Sequence, residues 1–504
     1  VPRNGIWRTK SVEQSIADTD EPDTRLRKNL SAWDLTVFGV AVMIGAGIFT
    51  LTARTAGDLA GPSVAVAFVM AGVACGLAAL CYAEFASTVP VAGSAYTFSY
   101  ATFGEFLAWI IGWDLILEFS VAAAAVAKGW SVYLETVLRS VFGENVSTTV
   151  EIAGATADWG SLLLVAVLAA LLTAGTKLSS RFSLVITMVK VLIILFVIVL
   201  GIAYINPDNY TPFVPPAAGP AESAGGLEQS LLSALAGTSG SVYGAFGLLA
   251  GASLVFFAFI GFDIVATTAE ETRHPQRDVP RGILGSLAIV TVLYVATSLV
   301  VAGMVPYPAL ATDAEPAGRK TLATAFSLNG VDWAANIISV GALAGLTTVV
   351  MVLLLGQQRV LFAMARDGLL PRPLAKTGSR GTPVRVNLLV GVVVAIAATF
   401  FDAGKLEEMV NVGTLFAFVL VSAGVIVLRR TRPDLPRGFR VPWVPWVPIL
   451  AIVACLWLML NLTVLTWVRF LAWMALGVLV YFAYGKRHAL LGQGDKQDSS
   501  VTQS

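Results

Sequence analysis

Charged side chains are scarce in this sequence. Lys, Arg, Asp and Glu make up 13% of its 504 residues, against 56% hydrophobic ones. A water-soluble globular chain carries about a quarter charged residues. Half that density leaves too few to cover a water-facing surface of this size, so the expected solvent is lipid. Histidine is nearly missing. Only His274 and His488 occur, both beside basic stretches, which argues against a His-rich metal site. Cys75, Cys81 and Cys455 lie in apolar segments without metal-ligand spacing and read as small packing residues. A net charge of +1 gives no reason to expect a nucleic-acid partner. No nucleophile–base pair and no soluble stretch of catalytic-domain size is visible, so neither an enzyme nor a cofactor is expected. The first thirty residues are polar and mixed in charge, unlike a cleavable signal peptide.

Long apolar runs dominate what remains. A helix needs about 20 apolar residues to cross the hydrocarbon core. Twelve stretches qualify, near 32–57, 64–87, 105–136, 160–176, 182–204, 242–270, 282–304, 333–365, 385–401, 408–428, 446–467 and 469–485. Residues 1–30 read as a cytoplasmic segment, 489–504 as a disordered cytoplasmic tail, and the Pro-, Gly-, Ala- and Ser-rich stretch 205–241 as an extracytoplasmic loop. Pro442, Pro445 and Pro448 mark entry into the eleventh span. Placing the N-terminus inside and alternating the loops puts 25 of the 33 lysines and arginines inside, six outside (Arg54, Arg139, Arg319, Lys320, Lys405 and Arg469) and two, Lys128 and Lys190, within spans. That bias follows the positive-inside rule, with both termini cytoplasmic in a multi-pass protein of the inner membrane.

Two spans carry breaks. The first reads Val42-Met43-Ile44-Gly45-Ala46-Gly47-Ile48-Phe49, and two mid-membrane glycines weaken a helix. The sixth reads Phe256-Phe257-Ala258-Phe259-Ile260-Gly261-Phe262-Asp263. Spans one and six begin two five-span halves, 31–204 and 242–430, and an odd number of spans inverts the second half. Residues 431–488 hold two further spans. Glycines in membrane spans often serve close packing alone. Breaks at matching places in both halves, with an acid following one of them, point instead to a transporter site. A broken helix offers N–H groups at one new end and C=O groups at the other, and a zwitterionic amino acid matches both.

At this point a family resemblance is visible. Gly45–Phe49, Phe256–Asp263, the stretch Gly356-Gln-Gln-Arg-Val-Leu-Phe-Ala-Met-Ala-Arg-Asp-Gly-Leu-Leu-Pro371, Gly112-Trp-Asp-Leu-Ile-Leu-Glu118 and Pro90-Val-Ala-Gly-Ser-Ala-Tyr96 together resemble the amino acid–polyamine–organocation superfamily, and within it the bacterial branch of the cationic amino acid transporter family. The resemblance covers roughly residues 30–485. It implies an all-α membrane protein with a five-plus-five inverted repeat, two broken helices and two extra helices. It also implies alternating access, with a proton rather than sodium as the coupling ion. By that resemblance the substrate carboxylate meets amides around Ala46 and Gly47. The ammonium meets carbonyls near Met43 or Ile44 and near Phe257, Ala258 and Ile260. Phe259 and Phe262 divide gating and packing between them.

Four ionisable residues fall inside spans: Asp114, Glu118, Lys190 and Asp263. A charge at the bilayer centre costs about 2.5–3.5 kcal/mol on insertion scales, so each needs a partner or a wet cavity. Lys190 lies roughly 12 Å from the cytoplasmic end of the fifth span, at about 1.5 Å per residue. In related sodium-coupled carriers this region, with the first and eighth spans, surrounds a sodium ion. The resemblance places an ammonium there instead, and a lysine that drops its proton when the site opens inward would carry the coupling proton. A fixed countercharge bridging helices is the plainer alternative. Glu118, roughly 20 Å into the third span, is positioned to face a cationic side chain together with Asp263; the plainer alternatives are a carboxylate paired with Asp263 through water, or a protonated acid that packs between helices. Asp114, four residues earlier on the same face, suits gating or packing. Lys128 near the outer end is expected to snorkel. The expectation is a proton-coupled transporter of cationic or a broad range of amino acids. A neutral amino acid symporter or exchanger is one alternative, and a sensor or channel-like protein on the same fold is another.

Overall fold

A computed structural model of the chain describes Thr9 and residues 30–489, apart from 90–93, 144, 153, 175–179, 220–225, 238–241, 315–318 and 376–382. The rest of the N-terminal segment, the tail beyond Ala489, the first half of the Pro90–Tyr96 motif, and Lys177, Lys376 and Arg380 lie outside the described residues. Those described are mostly helical. The main helices are α1 (Ala32–Met43), α2 (Val64–Thr88), α3 (Glu105–Phe142), α4 (Trp159–Thr173), α5 (Ser180–Ile202), α6 (Gly244–Val255), α7 (Pro275–Met304), α8 (Asp332–Arg366), α9 (Val384–Phe400), α10 (Ala403–Thr431), α11 (Trp446–Leu460) and α12 (Val464–Val480). Among the described residues, eight helical stretches are long and apolar enough to cross a membrane, with three shorter apolar helices besides.

Local chemistry explains where several helices start. The Ser31 hydroxyl accepts from the Asp34 amide at 3.3 Å while the Asp34 carboxylate accepts from the Ser31 amide at 2.9 Å, a capping box that opens α1. Asp158 opens α4 and Asp402 opens α10, each accepting an amide of the first turn. Thr463 caps α12 through the Thr466 amide at 3.3 Å. That cap corrects one expected boundary. The chain turns at Asn461–Thr463, not near 468, because Thr463 and Thr466 both donate to Glu408, at 2.7 and 2.5 Å. Arg469 therefore lies inside α12 rather than in an outer loop.

Packing follows small residues. Along α1 and α7, Gly39 sits against Ser286 and Gly282 against Leu35, so neither glycine has room for a methyl group. The long α3 packs along α8 and α10. Its Trp113 stacks on Trp473 of α12 with centroids 4.6 Å apart, and Trp109 donates to the Gly477 carbonyl at 2.8 Å. On the cytoplasmic side of the expected topology, Glu84 at the end of α2 accepts two bonds from Arg429, at 2.8 and 2.6 Å, and the Val441 amide at 2.7 Å. This straps the segment after α10 beneath α2. A two-stranded hairpin, β1 (Thr149–Ile152) and β2 (Ala155–Asp158), joins α3 to α4 and has no counterpart in the sequence reading. The Lys128 ammonium, from α3, lies 3.6 Å from the Asp158 carboxylate at the end of this hairpin. That carboxylate is fixed by the Ser131 hydroxyl at 2.6 Å.

Candidate substrate and coupling site

The helix α1 stops at Met43. Ile44 leaves helical geometry, with φ −70° and ψ 88°, and the chain resumes as a wide turn over Gly47–Leu51 before continuing to Ala60. The helix α6 stops at Val255, tightens through Phe256–Phe259 and extends at Ile260, whose ψ is 132°. Gly261 then takes φ 132°, a conformation open to glycine because it has no Cβ, and Phe262–Thr267 resumes the helix. The two breaks touch. A Cβ on Gly47 would overlap the Ala258 backbone, and one on Gly261 would come within 2.7 Å of Val42 and 3.4 Å of Met43. The residues expected to meet substrate thus fall into one buried place: Met43, Ile44, Ala46 and Gly47 from the first break, and Phe257, Ala258 and Ile260 from the second. The ends of a broken helix leave amides on one side and carbonyls on the other without intrahelical partners.

One residue at this place escaped the sequence reading. The Tyr294 hydroxyl, from the middle of α7, lies 2.5 Å from the Met43 carbonyl and 2.9 Å from the Ala258 carbonyl. Its ring packs against Phe68 and Phe259, with centroids 5.6 and 5.2 Å away. A tyrosine in the middle of a membrane span was the available signal, since a buried hydroxyl needs a partner. Phe259 lies on this side of the break. Phe262 lies on the other, between Tyr82 and Phe418 at 5.7 and 4.9 Å.

The acids separate into two settings. Asp263 turns back on its own helix start: its carboxylate accepts from the Gly261 amide at 3.1 Å, with the amides of Asp263 and Ile264 alongside. Asp114 and Glu118 lie one turn apart on α3, both fully buried and both facing α10. Asp114 fills the space beside Gly413, where a Cβ would come within 2.9 Å of its Oδ1. Thr414 of α10 stands beside Glu118. Among the described residues neither carboxylate makes a well-formed hydrogen bond.

Lys190 joins three helices. Its Nζ donates to the Ala41 carbonyl of α1 at 2.7 Å. Its stem lies on Gly345 of α8, where a Cβ would come within 2.9 Å of Cγ. The side chain is only 1% exposed, and no carboxylate among the described residues lies within ion-pairing distance.

A second set of charges lies beyond the first break, around Arg54. Glu407 of α10, itself 1% exposed, receives Arg54 at 2.8 Å and Arg319 at 3.1 Å. Asp58, one turn beyond Arg54, accepts from the amide and hydroxyl of Thr312 at 2.7 and 2.6 Å. The continuation of α1, the segment before α8 and the start of α10 are tied together here. The sequence reading used Arg54 and Arg319 only to orient loops, because partners 353 and 88 positions away are not legible from spacing.

Residues 30–482 match the model of the amino acid permease family. The chain is 42% identical over 496 residues to the methylthioribose transporter of Bacillus subtilis, covering 97% of this chain and 100% of that protein. It is 41% identical over 499 residues to a branched-chain amino acid permease of Bacillus subtilis, covering 97% and 100%. It is 38% identical over 448 residues to the vacuolar cationic amino acid transporter 4 of Arabidopsis thaliana, covering 86% of this chain and 68% of that one. With the family matched along nearly the whole chain, the resemblance carried by the broken helices holds: this protein belongs to the amino acid permease family of the amino acid–polyamine–organocation superfamily, and it is a multi-pass membrane transporter rather than an enzyme.

Proposed function

We propose that the chain carries amino acids across the cytoplasmic membrane by alternating access, coupled to protons, with both termini in the cytoplasm. Residues 31–204 and 242–430 are the two inverted halves in this reading, and 431–488 is the added helix pair. The observation that carries the coupling is the Lys190 ammonium, buried on the Ala41 carbonyl between α5, α1 and α8. A monovalent cation held there clamps α1. Loss of the proton removes the positive charge and frees α1 to swing. The substrate carboxylate sits on the Ala46 and Gly47 amides and the ammonium on the carbonyls of Met43, Ile44, Phe257, Ala258 and Ile260. Phe259 closes over it, and Phe262 packs on the other side of the break between Tyr82 and Phe418. A channel needs no paired breaks, and accumulation of substrate against its gradient by the purified protein would exclude both rival readings, a sensor and a channel.

For the substrate side chain, Glu118 is the acceptor of a cation in this scheme, together with Asp263, which is the reading of cationic or broad specificity. A second reading, neutral amino acids, is favoured by the Asp263 carboxylate being turned onto its own backbone and by the full-length likeness to a branched-chain permease. Competition in proteoliposomes separates the two. Under the first reading unlabelled arginine displaces labelled substrate, and Glu118→Gln weakens arginine about tenfold or more while sparing alanine, the loss of one charge-assisted bond. Strong competition by alanine with none by arginine, and an unchanged profile in Glu118→Gln, decides for neutral substrates.

The Arg54–Glu407–Arg319 cluster acts as the outer closure in this scheme. Glu407→Gln removes the charge both arginines share, so the outer end should open more often. A cysteine placed at Thr55, one position past Arg54 and buried, should then react several-fold faster with a membrane-impermeant maleimide added outside. An unchanged rate would make the cluster a static brace.

A further inference from the structure

We propose that the Tyr294 hydroxyl is a stand-in for the substrate ammonium, and that its displacement links occupancy of the site to the Phe259 ring. The inference rests on the reading of the Met43 and Ala258 carbonyls as ammonium acceptors. The hydroxyl lies 2.5 Å from the Met43 carbonyl and 2.9 Å from that of Ala258, one from each broken helix. A hydroxyl has a single proton and donates to one of these at a time. An ammonium has three donors and a full charge, and charge-assisted bonds are roughly twice as strong as neutral ones. An amine arriving at this pair therefore takes the carbonyls from the tyrosine, and a ligand without an amine does not.

The surroundings let that displacement be felt. The Tyr294 ring is fully buried between Phe68 and Phe259, the latter 5.2 Å away and tilted edge-on. Phe68 also meets Phe259 directly, at 6.2 Å, so three rings from α2, α7 and the second break form one unit. A hydroxyl pushed off its carbonyls turns the Tyr294 ring against Phe259. Removing the hydroxyl while keeping the ring separates a stand-in from a strut. A strut strengthens the bound state and its loss weakens binding. A stand-in competes with the substrate and its loss tightens binding.

The test is equilibrium binding of labelled leucine and labelled arginine to purified wild type and Tyr294→Phe, using whichever the wild type binds. A net hydrogen bond is worth about 0.5–1.5 kcal/mol, so a stand-in predicts a Kd about two- to twelvefold lower in the variant. The substrate-induced rise in melting temperature should also be larger, from a lower unliganded starting point. An unchanged or raised Kd overturns the proposal. Should Tyr294→Phe not be recovered folded, Phe68→Leu removes the ring that steadies Tyr294 and should shift the Kd the same way, with a raised or unchanged value again overturning it. A wild type that binds none of the twenty amino acids would overturn the site and this inference together, whereas weaker binding by the variant of a competent wild type overturns this inference alone.

Discussion

Lys190→Ala should abolish accumulation of substrate against its gradient. The substitution removes both the proton carrier and the charge that holds the Ala41 carbonyl, and leaves a void against Gly345. Exchange of labelled for unlabelled substrate at equal pH should survive at a reduced rate, since it requires no proton to cross alone. Lys190→Arg is the more discriminating variant. Guanidinium keeps its charge throughout the working pH range, so α1 stays clamped and the proton is not released. That variant should bind substrate and fail to concentrate it, with at least a tenfold loss in gradient-driven uptake. Accumulation by Lys190→Arg at the wild-type rate would make Lys190 a fixed countercharge and move the coupling proton elsewhere, with Glu118 the next candidate.

The second large effect is expected at Gly47. Leucine there would occupy the place assigned to the substrate carboxylate, and its Cβ alone would overlap the Ala258 backbone. Gly47→Leu should therefore drive the two breaks apart and abolish substrate binding, while the protein still inserts in the membrane. Gly47→Ala should already cost most of the affinity, because the clash is with backbone and cannot be relieved by rotating a side chain. Gly76 is the matched control, since a Cβ there meets nothing within 4 Å; Gly76→Leu should leave binding unchanged. Binding calorimetry on the three variants checks the set, and an unaltered Kd in Gly47→Leu would remove the first break from the site.

Much of the helical layout was legible because lipid imposes a coarse rule: apolar runs near 20 residues form helices, and α3, α5, α8 and α10 fall where that rule puts them. The breaks were legible for a similar reason. Gly45, Gly47 and Gly261 interrupt runs that otherwise have every reason to stay helical, and Gly261 takes a φ suited to glycine. What escaped depends on contacts between distant positions. The turn at Asn461–Thr463 is set by hydroxyls reaching Glu408, not by any dip in hydrophobicity. Lys128 finds Asp158 only because an unforeseen hairpin carries the acid to it. Tyr294 and Glu407 drew no reading from the sequence, because their partners come from other helices. Their importance comes from which carbonyls and guanidinium groups the fold brings against them.

In the proposed mechanism a proton gradient drives amino acid accumulation through this chain. The direct measurement is uptake of a labelled amino acid into proteoliposomes holding the purified protein, with the interior made alkaline and sodium excluded. The account predicts accumulation above the external concentration, collapse on adding a protonophore, and no change when sodium is restored. Uptake that stops at equilibrium under the same pH gradient, or that concentrates substrate only when sodium is present, would contradict it.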